Sequence, residues 1–319
     1  MHVAILSART GWHTDELIRA LSARGHVGVV VPYEGLVARL GVTAAAGGGL
    51  ASERAALLDS DAVLARIIPS GSLEQLIYRV DALHWIEERG VPVMNSPRAI
   101  ERCVDKFYTT ALVQEAGLPT PPTVVCERTD EAMAAVRAMG DVVIKPIFGS
   151  MGHGMVRVSD VDVAFRVVRA LEQIRAVFYV QQAIDHGGRD IRAFVVGGRL
   201  IGAIERHAAG DDWRTNVARG AEARPVTLSP EWERMAVAAA RAVEADYAGV
   251  DLLPGPGGSA FVLEVNGIPG WQGLQQATGI DVASAVVEHL ETRVRSTRGL
   301  DRTGVARAAG GRVPTDADA

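Results

Sequence analysis

The stretch FVLEVNGIPGWQGLQ, Phe261 to Gln275, closes an apolar run on a carboxylate and an amide, Glu264 and Asn266. Strand side chains alternate between two faces, which puts Phe261, Leu263 and Val265 on one and Val262, Glu264 and Asn266 on the other. Gly267, Pro269 and Gly270 then stop the strand. Upstream, YAGVDLL reads as a second strand carrying Asp251, and a turn at PGPGGS would let the two pair. Asp251, Glu264 and Asn266 then converge on one face. Three oxygen donors without an imidazole or thiolate suit a hard cation, Mg2+ (or Mn2+), which binds substrate phosphates as well. The plainer alternative is that these side chains line the solvated face of a half-buried sheet. Two oxygen donors set together before a rigid GIPG turn favour the cation.

A second constellation is VVIKPIFGSMGHGMVRV. Lys145 ends an apolar strand, and Gly149, Ser150, Gly152 and Gly154 belong to a loop that returns as another strand. Glycines let backbone N–H groups approach and cradle phosphate oxygens. No GK[ST] and no helix follow, so this is neither a Walker loop nor a dinucleotide fingerprint. A simple structural turn is the alternative; Lys145 directly upstream argues for a phosphate lid. Third comes a polar set, Arg189, Asp190, Arg192, Arg206, Arg214, Asn216 and Arg219. Such charges can pair at the surface for little energy, roughly 0–1 kcal/mol each. In DWRTNVARG, however, Arg214 and Asn216 share a face, and guanidinium groups grip carboxylate or phosphate in two-pronged fashion. His153 and His207 lie nearby without an obvious partner. No triad-like set of Ser, Cys or His nucleophiles is present. Cys103 and Cys126 lack CxxC spacing, so reduced thiols are expected, with a disulfide as the alternative.

Around these motifs the first hundred residues alternate strand and helix, as in a parallel α/β sheet. HVAILS, VGVVVP, DAVLARIIP and VPVMN read as strands. TDELIRALSARG, capped by Thr14, and LEQLIYRVDALHWIEERG read as helices, with TAAAGGGLA a small-residue loop. After a helix from Val104 to Gly117 the strands look antiparallel, and DIRAFVVGGRLIGAIER forms a hairpin turning at Gly197-Gly198. The helix GIDVASAVVEHLETRV closes the fold, and from Ser296 a disordered tail is expected. The length of 319 residues implies two or three structural units. A net charge of −5 gives no footprint for nucleic acid. No apolar run is long enough for a membrane span, and the N-terminus lacks the pattern of a secretory signal, so a cytoplasmic protein is expected.

Taken in order, VDKFYTTALVQEAGLPTPPT, VVIKPIFGSMGHGM, DIRAFVVGGRLIGAIER, DWRTNVARG, YAGVDLL and VLEVNGIPGWQGLQQATGIDVA make the chain resemble the ATP-grasp ligases. Within them it resembles the RimK-like α-L-glutamate ligases, over roughly Val91 to Leu290. LARIIPSGSLEQLIYRVDALHWIEERGVPVMNSPRAIE is further similar to the branch that adds glutamate to tetrahydromethanopterin. The resemblance implies an α/β and α+β protein. Residues 1–100 would form a Rossmann-like pre-ATP-grasp domain, 101–184 a small lobe with the glycine-rich loop, 185–295 a large lobe with the metal site, and 296–319 the tail. It implies that ATP binds with Mg2+ (or Mn2+), as two ions, on Asp251, Glu264 and Asn266. Lys106 and Lys145 would contact phosphates and the adenine region, beside Gly149, Ser150, Gly152 and Gly154. Gln181, Gln182, Ala183 and Ile184 would form the adenine hinge, and Asp190 would face the ribose. Arg206, Arg214 and Asn216 would surround the phosphates or the acyl intermediate, and Arg192 and Arg219 a substrate carboxylate.

The implied reaction is an amide ligation through an acyl phosphate, joining L-glutamate to a pterin-linked carboxylate acceptor. A protein C-terminus, a peptide or an amino-acid intermediate is the alternative acceptor, and an ATP-binding regulatory module the alternative class. The partners expected are small molecules, with neither nucleic acid nor membrane, and a homo-oligomer is compatible with the sequence. A nicotinamide enzyme is a poor reading, because SARTGWHTDE lacks the close-set glycines that admit a pyrophosphate.

Overall fold

The structure is a computed structural model that describes residues 1–43, 45, 47–149, 154–208 and 222–309, with side chains as far as 299. It divides into two compact units, Met1–Met94 with Ala283–Ala319, and Asn95–Val282.

In the first unit, β1 (His2–Ser7), α1 (Trp12–Ala23), β2 (Val27–Pro32), β3 (Val37–Arg39), β4 (Gly49–Ala51), β5 (Ala62–Ala65), α2 (Leu73–Glu88) and β6 (Val93–Met94) follow one another. The main sheet is parallel in the order β2-β1-β5-β6. Its central strands are nearly continuous apolar runs because both faces are covered. The small-residue loop expected after β2 contains part of an antiparallel pair, β3–β4. Helix α1 begins earlier than its sequence suggests. Gly11 is the N-cap, and Thr14 sits inside the first turn, where its hydroxyl accepts from Gly11 N–H at 2.8 Å and donates to Gly11 C=O at 2.7 Å.

The closing helix runs as Val282–Ala309, and from Ala283 it groups with the first unit. Glu291 accepts from Arg24 twice at 2.8 Å and pairs with His26 at 2.8 Å, while Arg298 pairs with Asp61. Arginine and alanine are good helix formers, and those pairs tie the helix to the end of α1 and to the residue before β5. Residues 310–319 lie outside the described residues.

The second unit contains α3 (Pro97–Val104), α4 (Lys106–Glu115), β7 (Thr123–Cys126), α5 (Thr129–Met139), β8 (Val142–Lys145), β9 (Val156–Val158), α6 (Val161–Gln173) and β10 (Phe178–Gln182). An antiparallel sheet of order β7-β10-β8-β9 packs Val142, Ile144, Phe178 and Val180 against Met133, Val136 and Val168 of α5 and α6. Then come β11 (Arg189–Val196), β12 (Arg199–His207), β13 (Glu222–Pro225), α7 (Pro230–Ala242), β14 (Tyr247–Pro254), β15 (Ala260–Asn266) and α8 (Gln272–Thr278). This second sheet, β13-β12-β11-β14-β15, is antiparallel throughout and carries α7 on its apolar face. Its β11–β12 hairpin turns at Gly197 and Gly198, with φ of 57° and 72°, the left-handed pair that a two-residue turn demands.

One irregularity matters for the site. Along β15 the residues that pack with α7 are Ala260, Val262 and Val265, a spacing that breaks period two. The pairing skips Leu263, so that Leu252 faces Val262 and Asp251 faces Glu264. This β-bulge inverts the phase of the strand. The regular alternation read from the sequence, which put Val262 on the face of Glu264 and Asn266, is therefore incorrect. Val262 belongs to the core.

Candidate active site

The bulge places Glu264 beside Asp251 on the face away from α7, and Asn266 lies two residues further on, opposite Gly249. Gly249 is glycine for a spatial reason: a Cβ there would stand 3.1 Å from Pro269 Cβ and 3.5 Å from Arg192 Cδ. Its absence lets the GIPG turn and the Arg192 stem lie against β14. The turn is fixed further by Asn95, fully buried, whose amide donates to Tyr247 C=O at 2.8 Å and Gly267 C=O at 2.5 Å. Its oxygen accepts from Asp246 N–H at 2.7 Å and Tyr247 N–H at 3.1 Å. The Asn266 side-chain oxygen accepts from Ile268 N–H at 2.9 Å, which orients it at the strand end.

Asp251 is buried and is gripped by two arginines. Arg192 donates Nε to Oδ1 and a terminal nitrogen to Oδ2, both at 2.7 Å, and Arg206 donates to Oδ2 at 2.8 Å. Arg206 also holds Asp190, through Nε at 2.7 Å and through a second bond to the other oxygen. Burial pushes the Asp251 carboxyl up, but Arg192 and then Arg206 more than offset this and hold it well below the usual carboxylate range. Burial likewise disfavours the Arg206 cation, yet Asp251 and Asp190 keep it above its ordinary value. Two carboxylates and two guanidiniums balance, which is what lets such charges stay out of water.

Across the site, Lys145 at the end of β8 is buried, donates to Gln181 Oε1 at 2.6 Å and lies 5.8 Å from the Tyr179 ring centroid. Burial lowers its ammonium to about 8, against the pull of Glu264 and with a further push from Lys106. Lys106, opening α4, donates to Gly149 C=O at 2.8 Å and Ile147 C=O at 3.3 Å, at the start of the glycine loop. Its ammonium is lowered too, first by burial, while Glu264 and Asp105 oppose the shift. Glu264 is half-buried and makes no hydrogen bond or ion pair among the described residues. It thus presents a carboxylate to both lysines.

Gln181 has a role that its sequence position does not advertise. Its side chain accepts from Lys145 and donates to Thr123 Oγ1 at 2.9 Å and Tyr179 Oη at 3.1 Å, while Thr110 Oγ1 lies 2.8 Å from the same Tyr179 hydroxyl. Gln182 N–H is taken by Pro122 C=O and Ala183 N–H by Asp141 C=O, at 2.8 and 2.9 Å, whereas Ile184 follows the strand without such a bond among the described residues. Gly154 ends the glycine loop at a φ of 74°. Ser150, Gly152, Arg214, Asn216 and Arg219, together with His153, lie outside the described residues. Both cysteines are free, and burial, then Glu264, pushes the Cys103 thiol up to about 12, so it offers no nucleophile at neutral pH.

The donor set fits a hard cation: two carboxylates and an amide oxygen share one face of the β14–β15 pair. Among the described residues there is no group of three or more His, Cys, Asp or Glu side chains that could hold a metal.

Comparison with known proteins defines the class. The RimK-like ATP-grasp domain matches residues 103–290, and the RimK PreATP-grasp domain matches 1–100. A tetrahydromethanopterin:alpha-L-glutamate ligase of Methanosarcina acetivorans is 37% identical over 262 residues, 74% of this chain and 81% of the relative. A probable alpha-L-glutamate ligase of Trichodesmium erythraeum is 33% identical over 295 residues, covering 91% and 96%. The ATP-grasp ligase PsnB, solved with minimal precursor, Mg and ADP, superposes with a TM-score of 0.71 at 21% identity over 92% of this chain and 97% of its own, so the two share a fold. The chain belongs to the RimK-like ATP-grasp family. It is an ATP-dependent ligase that joins an acid to an amino acid through an amide.

Proposed function

We propose that the protein adds L-glutamate to a pterin-linked carboxylate of the tetrahydromethanopterin type, with an acyl phosphate as intermediate. The observation that carries the reading is the placement of Glu264: it faces Asp251, precedes Asn266 on the same side of the sheet, and lies in the field of Lys106 and Lys145. Relatives named for this reaction, 37% identical in one archaeon and 30% in Methanococcus maripaludis, support the choice of substrate.

A carboxylate resists attack by an amine because its oxide is a poor leaving group. Transfer of the ATP γ-phosphoryl group to a carboxylate oxygen makes an acyl phosphate; the amine nitrogen then bonds to the acyl carbon, loses a proton, and phosphate departs. Asp251, Glu264 and Asn266 would hold Mg2+, as two ions, and the metal would supply charge neutralisation at the phosphates. Lys145 and Lys106 bind phosphoryl oxygens in this reading, Gln181 holds Lys145 in place, and Ile184 N–H is free to meet the adenine edge. Arg206 is fixed by Asp190 where it can face negative charge. A closed, water-poor site protects the intermediate from hydrolysis. The lobes 101–184 and 185–295 would close on the nucleotide, with 1–100 preceding them. The partners are small molecules; among the described residues no helix is long and apolar enough to cross a membrane.

The test is incubation with ATP, L-glutamate and, in turn, a pterin carboxylate, a peptide with a free C-terminus and an amino acid, followed by product mass. A glutamyl adduct with the pterin acceptor is expected. Adducts on the peptide or amino acid alone would replace the acceptor. ADP release should fall on the order of 10²–10³-fold in Asp251→Asn and Glu264→Gln; near-normal turnover there refutes the metal assignment.

A further inference from the structure

Asp251, the carboxylate assigned above to the cation, already has both oxygens bonded, and its two arginines are not equivalent. Arg206 is clamped from the other side by Asp190, and its side chain is only 3% exposed. Arg192 has Asp251 as its partner, and its side chain is 18% exposed. A cation coordinated at about 2.1 Å to either Asp251 oxygen would sit about 4 Å from the Arg192 nitrogens that now bond it, with like charges facing each other. Of the two guanidiniums, Arg192 is the one free to withdraw: it loses one carboxylate, whereas Arg206 keeps Asp190. Its stem packs over Gly249, in the space that a side chain there would take.

We propose that Arg192 is a resident counter-ion of Asp251 which the divalent cation displaces, and that the released guanidinium fork then receives a substrate carboxylate. Cation and carboxylate substrate therefore bind cooperatively. The cation frees the fork, and a carboxylate on the fork keeps Asp251 available to the cation. The inference rests on the metal reading of Asp251 and Glu264. It adds an order of assembly: without cation the fork stays on Asp251, and the carboxylate pocket is incomplete.

Mn2+ titration followed by the electron paramagnetic resonance of the free ion, without nucleotide, tests this, together with calorimetry of L-glutamate and of the acceptor carboxylate. Arg192→Gln should bind Mn2+ roughly 10- to 100-fold more tightly than the unaltered protein, the factor that a charged hydrogen bond is worth. It should also bind the carboxylate ligand weakly, with no difference between metal-free and metal-loaded protein. The unaltered protein should bind that ligand more tightly once metal is present, by the same factor that the ligand tightens Mn2+. Arg192→Lys keeps one charge without the fork and should fall between; it serves if the glutamine variant does not fold. Arg189→Gln, whose side chain pairs with Glu205 at 2.5 Å, should leave Mn2+ affinity unchanged. Unchanged or weaker Mn2+ binding in both Arg192 variants, while Asp251→Asn abolishes it, overturns the displacement and leaves the metal site standing. Mn2+ binding that survives Asp251→Asn and Glu264→Gln overturns the metal reading itself.

Discussion

Replacing Asn95 with alanine should damage the site from a distance. The side chain is fully buried and uses its entire hydrogen-bonding capacity, two donated and two accepted bonds, to tie Asp246 and Tyr247 at the start of β14 to Gly267 just after Asn266. At about 0.5–1.5 kcal/mol for each bond, truncation should cost about 2–6 kcal/mol, a large part of a typical stability of about 5–15 kcal/mol. The same loss frees Gly267, so the turn that sets Asn266 can drift; a shift of about 1 Å in a positioning element costs on the order of 10²-fold in rate. Urea unfolding followed by tryptophan fluorescence measures the first quantity, and ADP release at saturating substrates the second. Ser96→Ala is the control one residue away. It removes only the cap of α3, where Ser96 Oγ accepts from Ala99 N–H at 3.1 Å, and should cost about 1 kcal/mol with turnover intact. Should Asn95→Ala unfold within 1 kcal/mol of the parent (about the cap's worth), or turn over normally, the staple has no such role.

Two further outcomes depend on charge. Lys145 is held down to about 8 by burial, so, if it binds phosphate as proposed, kcat/KM for ATP should fall as pH rises through about 8 and its cation is lost; Lys145→Arg should move that limb upward, and an unmoved limb assigns it elsewhere. Glu291 is held at about 2, first by its hydrogen bonds from Arg24 and also by His26, which outweigh a modest burial penalty. The stability it contributes is present above the ordinary glutamate value and lost as pH falls towards 2. The gap in urea midpoint between the parent and Glu291→Gln should therefore shrink between about pH 5 and pH 2, and a constant gap would contradict the pairing.

How much of this was legible beforehand differs from motif to motif. The strands carrying Lys145, Asp251 and Glu264, the β11–β12 hairpin and its Gly197-Gly198 turn follow from short-range chemistry: short apolar runs, glycine's access to positive φ, and turn residues at fixed offsets. The ordered motifs also pointed to the RimK-like family. Asn95 gave no comparable signal, and Gln181, placed in the adenine hinge by the resemblance, gave none of its side-chain hold on Lys145. An asparagine at a strand end and a glutamine inside FYVQQAI look ordinary until residues far away in the chain supply their partners.

Sequence alone determined which residue types are available to the site and which local elements bear them, because those depend on neighbours within a few positions. Tertiary structure decided the phase of β15, since only pairing with β14 shows that Leu263 is skipped and Val262 turned inward. It also decided that Arg192 and Arg206 converge on Asp251, and that the last helix belongs with the first unit. Register, burial and charge pairing are properties of contacts between distant segments, and a one-residue bulge reverses every side chain after it without altering the alternation that a reader of the sequence sees.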